Sequence, residues 1–190
     1  MSRFDCSALW PVAAAVSAAV VPAQIVVAST YLSTEAAQRA LFPAAQTFNA
    51  LALAPTAEQL KAVAGAAGPQ APHGSLRTWA ARQGGIIVGY VFVDEVVGRE
   101  DFITYAVGID SQGKLRPVEI LEYRESHGGE IRNRRWLAQF SGRSAQEELR
   151  FRADIKNIAG ATLSSEHVTA GVRRILALWQ LVVKPAAAGG

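Results

Sequence analysis

The feature that most constrains the fold is the stretch 154–183, DIKNIAGATLSSEHVTAGVRRILALWQLVV. A loop of small residues, Ala159-Gly160-Ala161-Thr162, runs into a pattern in which Val168, Val172, Ile175, Leu176, Trp179, Val182 and Val183 recur at helical spacing. That period predicts a long amphipathic helix whose apolar stripe must be buried against another layer. Ser164 or Ser165 reads as its N-cap and Glu166 as a first-turn carboxylate, while Arg173 and Arg174 fall outside the stripe. Thr162 is then held just before a helix N-terminus. Unpaired N–H groups and partial positive charge make such an end a natural seat for a phosphate.

Upstream the period changes from helix to strand. Residues 86–97, IIVGYVFVDEVV, are rich in β-branched and aromatic side chains and predict a strand. A turn at 98–101, a strand at 102–109, a tight turn at 110–113 and a strand at 115–123 follow. Connections this short make neighbours antiparallel, and Pro117 marks an edge or a bulge. Residues 75–79 open the sheet, and the apolar run at 86–93 implies burial on both faces, with helices covering one side. A helix within 31–43 takes Ser33 as its cap and Pro43 as its stop. Another, at 56–65, runs from Thr56 to a terminating Gly65. Residues 66–74 read as a loop with an exposed His73, 136–140 as helical and closed by Gly142, and 144–151 as a further short helix. The expected class is α+β: an antiparallel sheet of at least three strands with flanking helices and a long C-terminal amphipathic helix.

At 190 residues the chain suffices for one domain. Its apolar excess is concentrated before residue 30. Residues 8–28, ALWPVAAAVSAAVVPAQIVVA, read either as the apolar core of an export signal, cleaved after Ala23 or Ala28, or as a retained membrane anchor. The single Arg ahead of the run and its small-residue ends favour the signal. The expected organisation is 1–28 signal peptide or anchor, 29–184 folded domain and 185–190 flexible tail. A net charge of +3 with no long basic run argues against nucleic acid as a partner. One cysteine, Cys6, and three histidines without ligand spacing argue against a disulfide framework or a metal centre.

Two places could carry chemistry. The polar loop at 124–133, RESHGGEIRN, follows a core strand, and its double glycine would let backbone approach a ligand; it reads equally as a surface connection. Glu122, Glu125 and Glu130 near His127 could form an acid–base group, although charges in such loops are usually solvated, and no catalytic set stands out. Thr162 is the stronger lead, with Gly160 and Ala161 leaving room beside it and Ser164 and Ser165 able to donate to phosphate oxygens.

The segment Gly160-Ala161-Thr162-Leu163-Ser164-Ser165, continued by Val168, Thr169, Gly171 and Val172, resembles the flavinylation region of the FMN-binding domain family. That family includes the C subunit of sodium-pumping NADH:quinone reductase, the G subunit of the Rnf complex and small exported proteins. Residues 31–43, 89–95, 102–106 and 119–142 are also similar to the exported members, in the same order. The resemblance implies FMN joined through its phosphate to Thr162 by an external FAD-dependent FMN transferase. It places Gly160, Ala161 and Leu163 around the attachment point, Ser164 and Thr169 near the ribityl phosphate, and Glu125, Ser126, His127, Gly128 and Gly129 near the isoalloxazine. Lys156 and Ala159 stand where the family motif has an acidic residue and a Ser or Thr. The implied protein is a periplasmic or otherwise extracytoplasmic electron carrier with membrane redox partners, held to the membrane through 8–28 if that segment is retained. The alternative is an interaction module of the same fold with noncovalent flavin or none.

Overall fold

The computed structural model describes residues 29–68, 74–125 and 127–188. The signal or anchor expected at 1–28, His73 and Ser126 lie outside the described residues. Six antiparallel strands form one sheet in the order β1-β6-β5-β4-β3-β2. They are β1 (Ser29–Thr30), β2 (Thr47–Ala50), β3 (Arg77–Gln83), β4 (Ile86–Val97), β5 (Phe102–Asp110) and β6 (Glu119–Tyr123). Strands β2 to β6 form a meander, and β1 pairs with β6 at the far edge, Ser29 opposite Tyr123. The α+β expectation holds. Strand β6 begins at Glu119 rather than 115, because Leu115 makes only an isolated bridge to Ile109 and Pro117 donates no ladder hydrogen bond.

Both faces of β4 and β5 are buried, as the run at 86–93 implied, but helices lie on both sides of the sheet rather than one. On one face α1 (Thr34–Leu41), capped by Ser33, buries Ala37 and Leu41 against Val91, Val93 and Ala106. On the other, α2 (Ala57–Ala67) and α4 (Thr162–Leu178) cover Phe92, Tyr105 and Val107. Thr56 and Gln59 form a reciprocal capping box at the start of α2. Gly65 is interior to α2, which ends at Gly68 (φ +70°). Helix α3 (Arg134–Leu137) continues as a 3-10 turn through Phe140. No helix forms at 144–151. There Ser144 and Glu147 close a local turn instead, and Leu149 takes a positive φ of 48° to bury its side chain. Beyond α4 a π turn (Trp179–Val183) leads into α5 (Lys184–Ala188).

A buried polar network pins α4 to the sheet. Asp94, in the middle of β4 and wholly buried, accepts two hydrogen bonds from Arg174 Nη2 (2.6 and 2.5 Å) and one from the Tyr105 hydroxyl (2.5 Å). A buried carboxylate is tolerated only when paired and hydrogen-bonded in this way. Gly171 lets the helix come this close: a Cβ there would lie 2.0 Å from the Tyr105 hydroxyl oxygen. His167 Nδ1 donates to the Val97 carbonyl (2.5 Å) and ties the first turns of α4 to the end of β4.

Gly171→Ala should therefore destabilise the fold by about 1–3 kcal/mol through overpacking. Tyr105→Phe, which strips one bond from a buried carboxylate, should cost about the same. Because Tyr105→Phe removes the atom the new methyl would strike, the double variant should lose less than the sum of the two, measured by urea denaturation. Burial, reinforced by Asp94, holds the Tyr105 hydroxyl well above its ordinary pKa. Its protonated form is the one the fold favours, so its contribution is intact below about pH 10 and is lost as pH rises beyond that. The decline of stability at alkaline pH should be shallower in Tyr105→Phe.

Candidate functional site

The approach to α4 is built from short-range bonds. The Trp136 indole N–H donates to the Lys156 carbonyl (2.6 Å), and the Lys156 N–H donates to Gln139 Oε1 (2.9 Å), so the segment before the loop is tied to α3 and its 3-10 extension. Residues 158–161 then make a reverse turn closed by Ala161 N–H to the Ile158 carbonyl (3.1 Å). Gly160 occupies the turn position that needs a left-handed backbone (φ +87°), and the space where its Cβ would be is open. The chain enters α4 directly at Thr162.

The helix thus starts earlier than expected. Its cap position is Ala161, which has no side chain able to accept from the first turn, and no acidic residue lies in that turn. Neither Ser164 nor Ser165 is the N-cap; both are buried within the first turn, and Glu166 lies beyond it. The leading N–H groups and the positive end of the dipole are left without a protein side-chain counterpart, which is the condition for holding an anion. The half-buried Thr162 accepts a hydrogen bond at Oγ1 from Asn157 Nδ2 (3.2 Å). Asn157 Oδ1 in turn accepts from Ser165 Oγ (3.0 Å), whose hydroxyl also lies 2.9 Å from the Thr162 carbonyl. Asn157 orients the Thr162 hydroxyl, a role with no motif to announce it.

A cleft of about 290 Å³ opens over this helix end, lined by Gly160, Ala161, Thr162, Leu163 and Ser164 on one side and by Arg99, Glu100, Glu125 and His127 on the other. Two stretches predicted separately, the Thr162 loop and the loop after β6, therefore meet across it. Gly128 packs against Ala161, although neither it nor Gly129 lines the cleft. Leu163 is 46% exposed at the rim. Thr169 is buried two turns further along, its hydroxyl donating to the Ser165 carbonyl (2.6 Å), and does not reach the cleft. Ser164 is buried beside Tyr123, whose hydroxyl pKa is raised by burial and lowered by the Ser164 hydrogen bond. The Tyr123 hydroxyl donates to the His127 carbonyl and so fixes the loop backbone, while the His127 side chain is exposed.

Glu125 has a defined structural task. Its Oε1 accepts from the N–H groups of Arg99, Glu100 (3.1 Å) and Asp101 (3.4 Å), so one carboxylate holds the whole β4–β5 turn as the opposite wall. Arg99 lies on that wall as an exposed cation, offset in part by Glu100 at 3.6 Å. Arg99 and Glu100 were legible only as turn residues, since nothing local in the sequence brings them to Thr162.

The FMN-binding domain family model matches residues 98–177, from the β4–β5 turn to the end of α4. Residues 98–177 are thus related to the FMN-binding domain family. The G subunit of the Na(+)-translocating ferredoxin:NAD(+) oxidoreductase complex of Acetobacterium woodii is 28% identical over 158 residues, covering 78% of this chain and 74% of that protein. FMN is the cofactor of the domain, and the cleft residues fit its phosphate end: an uncapped helix start, a hydroxyl at Thr162 and a nearby guanidinium at Arg99. The matched stretch contains every wall of the cleft.

Glu125→Ala should free three backbone N–H groups at once. Because the turn is partly solvated, the expected cost is about 1 kcal/mol. The sharper readout is hydrogen exchange, with protection lost at the amides of Arg99, Glu100 and Asp101 and retained along β4 and β5.

Proposed function

We propose that the protein is an extracytoplasmic electron carrier that holds FMN as a phosphate ester of Thr162 and relays electrons in a membrane-associated redox chain. The observation that carries this reading is the placement of the Thr162 hydroxyl on an uncapped, carboxylate-free helix start at the mouth of the cleft. Bound FMN supplies the redox chemistry, and the protein holds and orients it. Asn157 Nδ2 engages one lone pair of Thr162 Oγ1 and leaves the hydroxyl hydrogen directed elsewhere. In the attachment step a Thr162 Oγ1–phosphorus bond forms as the pyrophosphate bond of FAD breaks. AMP leaves and the hydroxyl proton is released, with an FAD-dependent FMN transferase as the catalyst. The helix N–H groups and Arg99 neutralise the phosphodiester that results.

A cleft of about 290 Å³ sits at the small end of ligand cavities. It accommodates part of an FMN and leaves the rest at the surface, where electron exchange with a partner protein needs no further opening. The relative from Acetobacterium woodii is by its name a component of such a redox complex, which supports membrane redox partners here. Among the described residues no helix is long and apolar enough to cross a membrane.

A second reading, noncovalent FMN, is favoured by Lys156 and Ala159 at the positions of the motif's acidic and hydroxyl residues. Intact mass separates the two. Co-expressed with the transferase, the wild-type chain should be heavier by one FMN less one water and fluoresce in a denaturing gel. Thr162→Val should lose both signals while keeping the fold. A wild-type mass equal to that of the bare chain would sink the covalent reading. In that event Lys156→Asp with Ala159→Ser should restore attachment.

A further inference from the structure

Away from the FMN cleft, α2, α4, the start of β3 and the extended segment 50–53 enclose a cavity of about 770 Å³. Arg174 to Leu178 on its wall lie 12 or more residues along α4 from Thr162, about 18 Å or more at the helical rise. Most of the lining comes from residues 50–79, outside the stretch that matches the FMN-binding family. The walls are aliphatic: Val63 from α2, Leu76 ahead of β3, and Ile175 and Leu178 from α4. Leu51 and Leu60 at its edge are exposed, 37% and 52%. A second cavity of about 580 Å³ shares the 50–53 wall and extends to Val182 and Val183, so the apolar space is elongated rather than round.

Three polar side chains line the larger cavity: Arg77, which is exposed at its edge, and Thr78 and Arg174 further in. Thr78 lies on the same face of β3 as Ala80 and is buried. Arg174 is held by Asp94 and Tyr105, which do not use all the N–H donors of its guanidinium. Its position is fixed from behind by the buried network, so ordering it costs a ligand little. Long aliphatic walls with one donor group at the base suit an apolar chain ending in an oxygen acceptor, and the volume lies in the upper part of the usual range of about 300–1,000 Å³. We propose that this cavity binds the acyl chain of a lipid, with the acyl carbonyl or carboxylate oxygen on Arg174 and Thr78.

The test is a fluorescence titration of the full-length protein with cis-parinaric acid. Wild type should show saturable one-to-one binding. Ala64→Trp places an indole across the mouth from an exposed position on α2 and should weaken binding by about tenfold or more, with the circular dichroism spectrum unchanged. If that variant does not fold, Ala52→Trp, also exposed on the lining, serves in its place. Displacement of the probe by oleate identifies a free fatty acid, and displacement by dioleoyl phosphatidylcholine vesicles identifies a phospholipid acyl chain. Non-saturable binding, or equal affinity in wild type and the blocked variant, overturns the proposal. None of these outcomes depends on FMN attachment.

Discussion

The Asp94–Arg174 pair, with Tyr105 as third partner, sets where α4 lies, and the cleft over the start of α4 inherits its geometry from that placement. A carboxylate with no exposure at the centre of a strand is a standing cost unless opposite charge and hydrogen bonds reach it, and only α4 supplies both. The pair couples a fixed point on β4 to a fixed point on the helix. His167 on Val97 adds a second point seven residues away, two turns along the same helix face. Two pins determine both the translation and the rotation of the helix. Hydrophobic burial of Val168, Val172 and Ile175 would by itself permit sliding, because apolar contact carries no direction.

Rotation decides which residues of the first turn meet the cleft. With α4 pinned as it is, Ser164 and Ser165 turn inward, to Tyr123 and Asn157, and Thr162 and Leu163 turn outward. The facing wall is set independently. Glu125 reaches from the end of β6 to the β4–β5 turn, so the positions of Arg99 and the His127 backbone depend on the pairing of β4, β5 and β6. The cleft therefore lies between two elements held by separate constraints, a helix pinned by ions and a turn clasped by one carboxylate. Neither wall rests on a ligand, so the cleft is preorganised.

The parts of this arrangement legible in the sequence were those written in local periodicity and local capping. β4 lies in the stretch expected to contain a strand, and Ser33 and Thr56 cap the helices assigned to them, because alternation and capping chemistry act within a few residues. The start of α4 was misread for a physical reason. Two serines are better N-caps than an alanine, yet both are needed inside, where Ser165 bonds Asn157 and Ser164 lies against Tyr123. Tertiary demand overrode local preference at the one place where an uncapped end is useful. Strands β1 and β2 are too short to show a period, and the side of the sheet that α1 covers follows from pairing, not from its own sequence. Arg174 read only as lying outside the apolar stripe, because its partner Asp94 is 80 residues away.

The division of labour along the chain follows from the same geometry. Residues 98–177, the stretch that matches the FMN-binding family, supply every group lining the cleft, while the preceding strands supply none. The cleft nevertheless depends on them, since Asp94 and Val97 belong to β4 and are what α4 is pinned to. A substitution at Asp94 would reach Thr162 without touching it, by releasing the helix from its register on the sheet. Of the two cavity systems that α4 lines, the cleft uses its N-terminal end and the apolar cavity its middle, with the ion network between them. A ligand oxygen engaging the remaining donors of Arg174 would share the guanidinium that holds Asp94. It would thus act on the pin that sets the register of α4, so the two ends of the helix are coupled through one buried carboxylate.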